Sequence, residues 1–307
     1  MTENTKSAKE WLSGRVDLRE KLNTRPPPLD FVIPGLAAGT VGLLTAPGSV
    51  GKSFFALQSA IHIAAASISE ADTLETGTVK SGRVLFLAAE DAENALWHRL
   101  HSIGTLLPHE TSETLVENLH IVPLVGSRMN IGSDDWFNAI LEAAQGSRLV
   151  IVDTWSRVHQ EDESVNAKMG PLLNRLEAIA NVTRAAFLIL HHVSKSVALS
   201  GAGDSTHASR GASALVDNSR FAAFLQRMND ADVREIKKLY GIDLAEEPRE
   251  YLSQFIRYGV SKCSYGRIPA DRWFRQDTNG VLVPWKWENH SHTPASAPKM
   301  AGSLCDV

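Results

Sequence analysis

The sequence predicts an α/β protein with a mostly parallel sheet, helices on both of its faces, and antiparallel strands at the carboxyl-terminal side. From Val41 onward, short apolar runs typical of buried strands alternate with longer segments of helical character. The stretches 250–261 and 272–287 look like antiparallel strands that close the sheet. A hairpin turn is predicted at 277–280, where the sequence reads Asp-Thr-Asn-Gly.

Each predicted strand is a short apolar run of the kind found in sheet interiors. These runs lie at 41–45, 83–89, 120–124, 148–152, 185–190 and 221–226. The segments between them are predicted to be helices, at 52–66, 93–107, 134–144, 166–180, 211–218 and 230–240. Residues 194–209 are rich in Gly, Ser and Ala and show no periodicity, so they are predicted to form a functional or disordered loop.

The composition is that of a soluble globular protein. Of 307 residues, 43% are hydrophobic and 21% are charged, and the net charge of −4 provides no overall basic field for a nucleic acid. A DNA contact would therefore have to be local. Cys263 and Cys305 lie far apart and offer neither a disulfide framework nor a zinc motif. Since no apolar run reaches membrane-spanning length, a cytoplasmic protein without a membrane partner is expected.

Three regions are predicted along the chain. Residues 1–25 are a helical arm and linker, in which an amphipathic helix at 6–23 is ended by the prolines at 26–28. Residues 26–287 form the main α/β domain, and residues 288–307, rich in His, Ser, Pro and Ala, form a disordered tail. The arm either caps its own domain or docks on a neighbouring subunit.

The most informative motif joins the first strand to the first long helix of the domain. In such a loop, backbone N–H groups and the positive end of the helix hold the phosphates of a nucleotide. Lys52 is predicted to reach the β- and γ-phosphates of ATP, and the Ser53 hydroxyl to bind Mg²⁺. Alanine replaces the first glycine of the motif, and because alanine is small we expect the loop to form. The predicted nucleotide-binding residues are Ala46, Pro47, Gly48, Ser49, Val50, Gly51, Lys52 and Ser53.

Two acidic residues follow buried strands that are expected to end beside this loop. Asp153 is predicted to hold Mg²⁺, partly through water, opposite Ser53, although a strand-end Asp can also cap the next turn. Glu90 is predicted to orient or deprotonate the attacking water. Asp91 is the competing candidate, and it can instead cap the helix that follows.

His191 and His192 end a third buried strand. Neighbouring residues of a strand point to opposite faces, so the pair cannot bind one metal ion. One imidazole can face the γ-phosphate and sense its presence, while the alternative is a core histidine bonded to a backbone carbonyl. A positive charge for the leaving phosphate, supplied by a neighbouring subunit, has three candidates: Arg210, Arg220 and Lys262.

Several segments together resemble the RepA-type hexameric replicative DNA helicase of broad-host-range plasmids, a RecA-like P-loop ATPase. They are the run 25–35, the phosphate loop, Leu-Ala-Ala-Glu-Asp at 87–91, Val-Asp-Thr at 152–154, Leu-His-His at 190–192, Ala-Ser-Arg-Gly at 208–211, Leu-Val-Asp-Asn at 215–218, Ser-Lys at 261–262 and Asp-Arg-Trp-Phe-Arg at 271–275. The resemblance covers about residues 26 to 280, and related RecA-like ATPases of phages and mobile elements share much of it.

The resemblance implies a ring of six RecA-like domains that hydrolyses ATP at subunit boundaries and moves along single-stranded DNA in plasmid replication. By motif, Glu90 would be the catalytic carboxylate, Asp153 the acid on the Mg²⁺ side and His192 the γ-phosphate sensor. Arg220 would be inserted into the neighbouring subunit's site, with Lys262 as a weaker candidate for the same role.

The loop at 194–209 matches the position of the loops that line the central channel in this family. Lys195, His207 and the nearby Arg210 are the residues expected to contact DNA phosphates there. Priming and origin opening are expected to need further partners, a primase and an initiator protein.

Other functions use the same phosphate loop. The main alternative is a RecA-like ATPase that acts with DNA or a protein partner in recombination or regulation without unwinding. A small-molecule kinase would need an acceptor pocket and a lid, which the sequence does not indicate. A non-enzymatic nucleotide-dependent scaffold would keep its function after Glu90→Gln.

Overall fold

A nine-stranded sheet forms the centre of the fold in the computed structural model, which describes residues 7–77, 79–163, 165–193 and 215–288. The strands are β1 (Phe31–Ile33), β2 (Leu36–Ala37), β3 (Val41–Ala46), β4 (Arg83–Ala88), β5 (Leu119–Pro123), β6 (Ser147–Asp153), β7 (Ala186–His192), β8 (Phe221–Arg227), β9 (Phe255–Cys263), β10 (Arg272–Gln276) and β11 (Leu282–Trp285). Strands β1 and β2 form a separate antiparallel pair.

The strand order in the large sheet is β11-β10-β9-β8-β3-β7-β6-β4-β5. Strands β8 to β5 in this order are parallel, and the antiparallel strands β9, β10 and β11 extend the sheet beyond β8. This confirms the predicted sheet. Because parallel strands end at the same edge, the carboxyl ends of β3, β7, β6 and β4 lie side by side and bring Glu90, Asp153 and His192 to the edge where the phosphate loop begins.

The helices are α1 (Ala8–Ser13), α2 (Leu18–Asn23), α3 (Lys52–Ala64), α4 (Glu93–Gly104), α5 (Thr111–Asn118), α6 (Asp134–Ala143), α7 (Asn166–Thr183), α8 (Asp230–Tyr240) and α9 (Arg249–Leu252). Residues 215–218 are also helical, and they are the described part of the helix predicted at 211–218. Within the described ranges, no helix is both long and apolar enough to cross a membrane.

Helices cover both faces of the sheet. On one face, Phe55 and Ile61 of α3 pack in the same core as Leu188 of β7. On the other face, Leu176 of α7 packs in the same core as Phe187, the neighbouring residue of β7. Burial of each such large apolar side chain stabilises the fold by roughly 1.5–3 kcal/mol. The alternation along β7 continues to its last two residues and determines which histidine faces α3.

The carboxyl-terminal strands carry a smaller aromatic cluster. The ring of Phe255 lies 5.1 Å from that of Trp285 and 5.0 Å from that of Trp287. Trp273 of β10 lies 5.8 Å from Trp287 at a steep interplanar angle. These contacts fix the antiparallel strands to α8, which contributes the buried Ile236.

The prediction of one amino-terminal helix at 6–23 is wrong, because the structure has two short helices, α1 and α2, in that region. Gly14 directly follows α1, and glycine disfavours continuation of a helix. Asp17 then starts α2 as its N-cap, since its carboxylate accepts the N–H of Glu20 at 3.0 Å.

Residues 250–254 were predicted to begin a strand, and this too is wrong. They form α9 and the turn after it, because Leu252 donates its N–H to the carbonyl of Pro248 at 3.1 Å and closes one helical turn. The paired strand β9 begins only at Phe255.

Contacts divide the chain into two units, residues 1–30 and residues 31–307. In the first unit, the described residues 7–30 contain α1 and α2, and in the second lie all the strands and the remaining helices. Residues 289–307, which include almost all of the predicted tail, lie outside the described residues. The division into arm, main domain and tail stays a prediction.

Candidate active site

The phosphate loop, residues 46–53, joins the end of β3 to the start of α3. Gly51 has a φ of 96°, and a Cβ at this position would lie 3.3 Å from Leu282, so both backbone and space favour glycine. Ser49 is also left-handed, at φ 64°, which is uncommon for a residue with a Cβ. A Cβ at Gly48 would meet no atom within 4 Å, which leaves open space for a phosphate.

Ala46 shows why this loop tolerates alanine at the first position of the motif. It is the last residue of β3, it is buried, and its φ is not positive. Its carbonyl oxygen accepts from Lys52 Nζ at 3.2 Å and from the N–H of Val193 at 3.1 Å. A position with extended backbone, whose role is to accept hydrogen bonds through its carbonyl, does not require glycine.

Lys52, His192 and Glu90 form a continuous chain of polar contacts. Nζ of Lys52 lies 2.9 Å from Nδ1 of His192, and Nε2 of the same ring lies 3.1 Å from Oε2 of Glu90. Burial lowers the pKa of Lys52 to about 8, against the attraction of Asp153 and Glu90. When the ammonium donates to Nδ1, the ring carries its proton on Nε2 and donates to the carboxylate. Three residues predicted for phosphate binding, γ-phosphate sensing and catalysis therefore lie in contact.

Asp153 and Ser53 offer oxygen atoms to a divalent cation. Asp153 is 2% exposed, and its Oδ1 has no hydrogen-bond partner among the described residues. Burial raises the pKa of this carboxyl to about 6, although the Ser53 hydroxyl favours the charged form. The N–H groups of Ala89 and Glu90 donate to the Asp153 carbonyl, at 2.6 and 3.2 Å, and join the ends of β4 and β6.

An unpartnered, buried carboxylate oxygen beside a hydroxyl at the phosphate loop fits Mg²⁺, which takes oxygen ligands and keeps several of its waters. Ser53 and Asp153 are the residues that would hold the ion. When bound, Mg²⁺ neutralises part of the charge on the β- and γ-phosphates.

Asp91, the competing candidate for the catalytic acid, has a different partner. Its carboxylate pairs with Arg99 at 2.9 Å, and the guanidinium of Arg99 lies 5.6 Å from the centre of the Phe54 ring. Burial raises the pKa of Asp91, against the attraction of Arg99. The geometry favours Glu90, whose more exposed carboxylate reaches His192.

His191 lies on the opposite side of the sheet from His192. It is 3% exposed, and its Nδ1 lies 3.9 Å from Oε2 of Glu163, whose Oε1 lies 3.4 Å from Nε2 of His159. The His159 ring packs 4.9 Å from that of the buried Trp155. Sequence reasoning missed His159 and Glu163. The available signal was a run of titratable residues directly after the strand that ends in the predicted Mg²⁺ acid.

Arg227 is another residue that sequence reasoning missed. It ends β8, the parallel neighbour of β3, and therefore lies at the same edge of the sheet as the phosphate loop. Its Nη2 donates to the Ser49 carbonyl at 2.5 Å and to Gln276 Oε1 at 3.1 Å, and its Nη1 donates to the Ser253 carbonyl. A basic residue at the carboxyl end of a predicted strand was the signal available.

Arg220 and Lys262 lie together at the opposite edge of the sheet, where the parallel strands β3 and β8 begin. The N–H of Arg220 donates to the carbonyl of Val41, the first residue of β3, and Lys262 Nζ donates to the carbonyls of Val216 and Asp217 at 2.9 and 2.7 Å. The length of β3, about 17 Å at ~3.3 Å per residue, separates this edge from the phosphate loop. Neither cation lies beside the phosphate loop of its own chain.

The residues predicted to contact DNA, Lys195, His207 and Arg210, lie outside the described residues, as does the whole loop predicted at 194–209.

Fold and site together define a class of protein, the P-loop ATPases with a RecA-like core. The AAA_25 family model, described as an AAA domain, matches residues 10–198. This match covers more than half of the chain, and the chain belongs to that family.

Two solved structures are similar to this chain. One is the RadB recombinase, 13% identical, with 82% of this chain and 93% of that chain covered and a TM-score of 0.48. The other is a KaiC-like protein from the hyperthermophilic archaeon Pyrococcus horikoshii OT3, 16% identical, with 84% of this chain and 100% of that chain covered and a TM-score of 0.52. The second likeness agrees with the fold described above.

Proposed function

We propose that this chain is an ATP-dependent DNA helicase of plasmid replication, which works as a hexameric ring and moves along single-stranded DNA. The proposal combines the ATPase class defined above with the resemblance of the sequence motifs of this chain to those of RepA-type helicases. The observation that supports it most is the position of the cations. The residues that would bind and hydrolyse ATP lie at one edge of the sheet, while Arg220 and Lys262 lie at the other.

Within one subunit, the site holds most of what hydrolysis requires. Lys52 binds the β- and γ-phosphates, and Glu90 orients the attacking water and accepts its proton. His192 bridges these two residues, so a γ-phosphate that attracts the Lys52 ammonium changes the partners of the histidine ring. This exchange of partners is how His192 reports whether the terminal phosphate is present.

One component is not found at this edge of the sheet among the residues that the structure describes. Phosphoryl transfer gains about 10³–10⁵ in rate from an arginine beside the transferred group. Of the arginines described at this edge of the sheet, Arg99 is paired with Asp91, and Arg227 donates to the outer side of the loop. An Arg220 brought in by the next subunit completes the site, with Lys262 beside it.

This arrangement requires a head-to-tail interface, in which the Arg220 edge of one copy meets the phosphate loop of the next. Such an interface is heterologous and generates a ring when its rotation closes. A ring also explains how an acidic chain can bind DNA, because one or two phosphate contacts per subunit are multiplied around the channel. Binding of this kind is independent of sequence and weakens with salt.

The decisive experiment is unwinding of a forked DNA duplex by the purified protein with ATP and Mg²⁺, using forks with a single 5′ or 3′ tail. We expect unwinding on one tail polarity, together with ATP hydrolysis that single-stranded DNA stimulates. The Lys52→Ala variant serves as the inactive control. Hydrolysis without unwinding on either fork would favour the alternative, a RecA-like ATPase that acts in recombination or regulation.

A further inference from the structure

Arg227 contacts the phosphate loop on the side that faces away from the predicted phosphate position. Its Nη2 donates to the carbonyl oxygen of Ser49 at 2.5 Å. In a phosphate loop the N–H groups converge on the phosphates, so a carbonyl that accepts from a side chain outside the loop points away from them. The guanidinium is therefore placed to hold the loop in shape and does not itself touch the nucleotide.

Ser49 is a residue whose conformation needs support. Its φ of 64° lies in the left-handed region, where a residue with a Cβ is disfavoured and persists only if neighbouring groups fix it. Among the hydrogen bonds of the described residues, the one from Arg227 holds the Ser49 carbonyl.

Arg227 is itself fixed by neutral groups on two other elements. It donates to Gln276 Oε1 at 3.1 Å, at the end of β10, and to the Ser253 carbonyl, before β9. Burial lowers the pKa of Arg227, and no carboxylate of the described residues offsets that effect. The planar fork of a guanidinium can reach three such acceptors at once, whereas a lysine ammonium on a flexible stem cannot hold the same geometry.

The same elements support the next part of the loop. A Cβ at Gly51 would lie 3.4 Å from Gln276 Nε2 and 3.3 Å from Leu282. Leu282 is joined to α3 by Gln58, which donates to its carbonyl at 2.9 Å and accepts its N–H at 3.0 Å. The antiparallel hairpin of β10 and β11 thus backs the phosphate loop, and Arg227 links the two.

We infer that Arg227 is a positioning residue for nucleotide binding, which holds Ser49 in its left-handed conformation and keeps the N–H groups of the loop directed at the phosphates. The inference rests on the proposed function only in requiring that ATP bind the loop. It also assigns a role to the hairpin of β10 and β11, which backs the phosphate loop through Gln276 and Leu282.

The test measures the affinity for a fluorescent ATP analogue carrying a methylanthraniloyl group, by titration with Mg²⁺ present. We expect Arg227→Gln to weaken binding about tenfold, as loss of a charge-assisted hydrogen bond would. Ser49→Gly in the same chain should restore affinity to within about threefold of wild type, because glycine adopts positive φ without the support of Arg227.

Arg275→Gln is the matched control. Arg275 lies on β10 and donates to Gln254 Oε1 at 3.1 and 3.0 Å, in a setting like that of Arg227 but without contact to the loop. This variant should bind the analogue as wild type does. If Arg227→Gln does not fold, as judged by circular dichroism, Arg227→Lys replaces it with the same expected loss and the same rescue.

Wild-type affinity in the Arg227 variant, or a loss that Ser49→Gly does not repair, would overturn the inference. Lys52→Ala separates this result from a failure of the proposed function. If wild type binds the analogue, Lys52→Ala does not and Arg227→Gln does, the inference alone is wrong. If wild type fails to bind it, both are wrong.

Discussion

The ammonium nitrogen of Lys52 lies 2.9 Å from Nδ1 of His192, so the lysine of the phosphate loop and the last residue of β7 are in direct contact. The contact follows from strand pairing, since β3 and β7 are parallel neighbours in which Ala46 lies opposite His192. Through its other nitrogen the same ring reaches Glu90. One imidazole thereby connects the residue predicted to bind phosphate to the residue predicted to activate water.

Substitution of Lys52 by alanine should abolish ATP hydrolysis. The substitution removes the ammonium predicted to bind the β- and γ-phosphates, and loss of such an electrostatic contact costs at least about 100-fold in rate. Release of inorganic phosphate from ATP measures the effect. Lys238→Ala, at an exposed position of α8, is the control and should keep the wild-type rate. Wild-type turnover in Lys52→Ala would refute the phosphate loop as the site.

Glu90→Gln should lower the hydrolysis rate by about 10²–10⁴, the range typical of general acid–base catalysis, while nucleotide affinity stays close to wild type. The amide keeps the shape of the side chain and its contact with His192 but cannot accept the proton of water. Asp91→Asn is the matched comparison. Because Asp91 pairs with Arg99, its loss should lower the rate less than about tenfold. The reverse order of the two effects would assign catalysis to Asp91.

The parts of the site that the sequence predicted are local in the chain. The loop, Lys52 and Ser53 follow from one strand–loop–helix segment, and Asp153 and Glu90 each follow from an acid at the end of an apolar run. Such patterns can be recognised because strand and motif are adjacent, and parallel strands end at one edge. The same rule explains why these predictions converge in space.

The residues that were missed depend on the order of strands in the sheet. Arg227 reaches Ser49 only because β8 lies next to β3, and the two residues are 178 positions apart. His159 and Glu163 meet His191 across the end of β6, in a segment without periodicity. Neither pairing has a local pattern in the sequence, so apolar spacing could not reveal it.

Arg220→Ala should lose most ATP hydrolysis while nucleotide binding and assembly remain. The side chain is exposed at the edge opposite the phosphate loop, and under the proposed function it acts on the site of another copy. Mixing Arg220→Ala with Lys52→Ala should restore part of the activity, because some interfaces then combine an intact loop with an intact arginine. Absence of any recovery in mixtures that are shown to co-assemble would contradict action between subunits.

Gly280→Ala should destabilise the fold by about 1–3 kcal/mol, through a strained backbone and an overpacked contact. The residue has a φ of 92°, and a Cβ there would lie 2.5 Å from Cε2 of Phe54 on α3. Gly146→Ala is the matched control, with a φ of 70° and no atom within 4 Å of a Cβ. Urea unfolding should show the smaller loss for Gly146→Ala. Equal losses would mean that the contact with Phe54 contributes nothing.

Stability should fall in mild acid because of His191. Burial lowers its pKa to about 4, with repulsion from His192, Lys52 and His159 opposing the attraction of Glu163. The unfolded chain, where a histidine has a pKa of about 6.5, then binds more protons than the folded chain between these two values. Lowering the pH from 7.5 to 5 should therefore remove about 2 kcal/mol of unfolding free energy through this residue. Urea unfolding of His191→Asn at both pH values should show a loss smaller by that amount. An equal loss in wild type and variant would mean that His191 is protonated as readily in the folded chain as in the unfolded one.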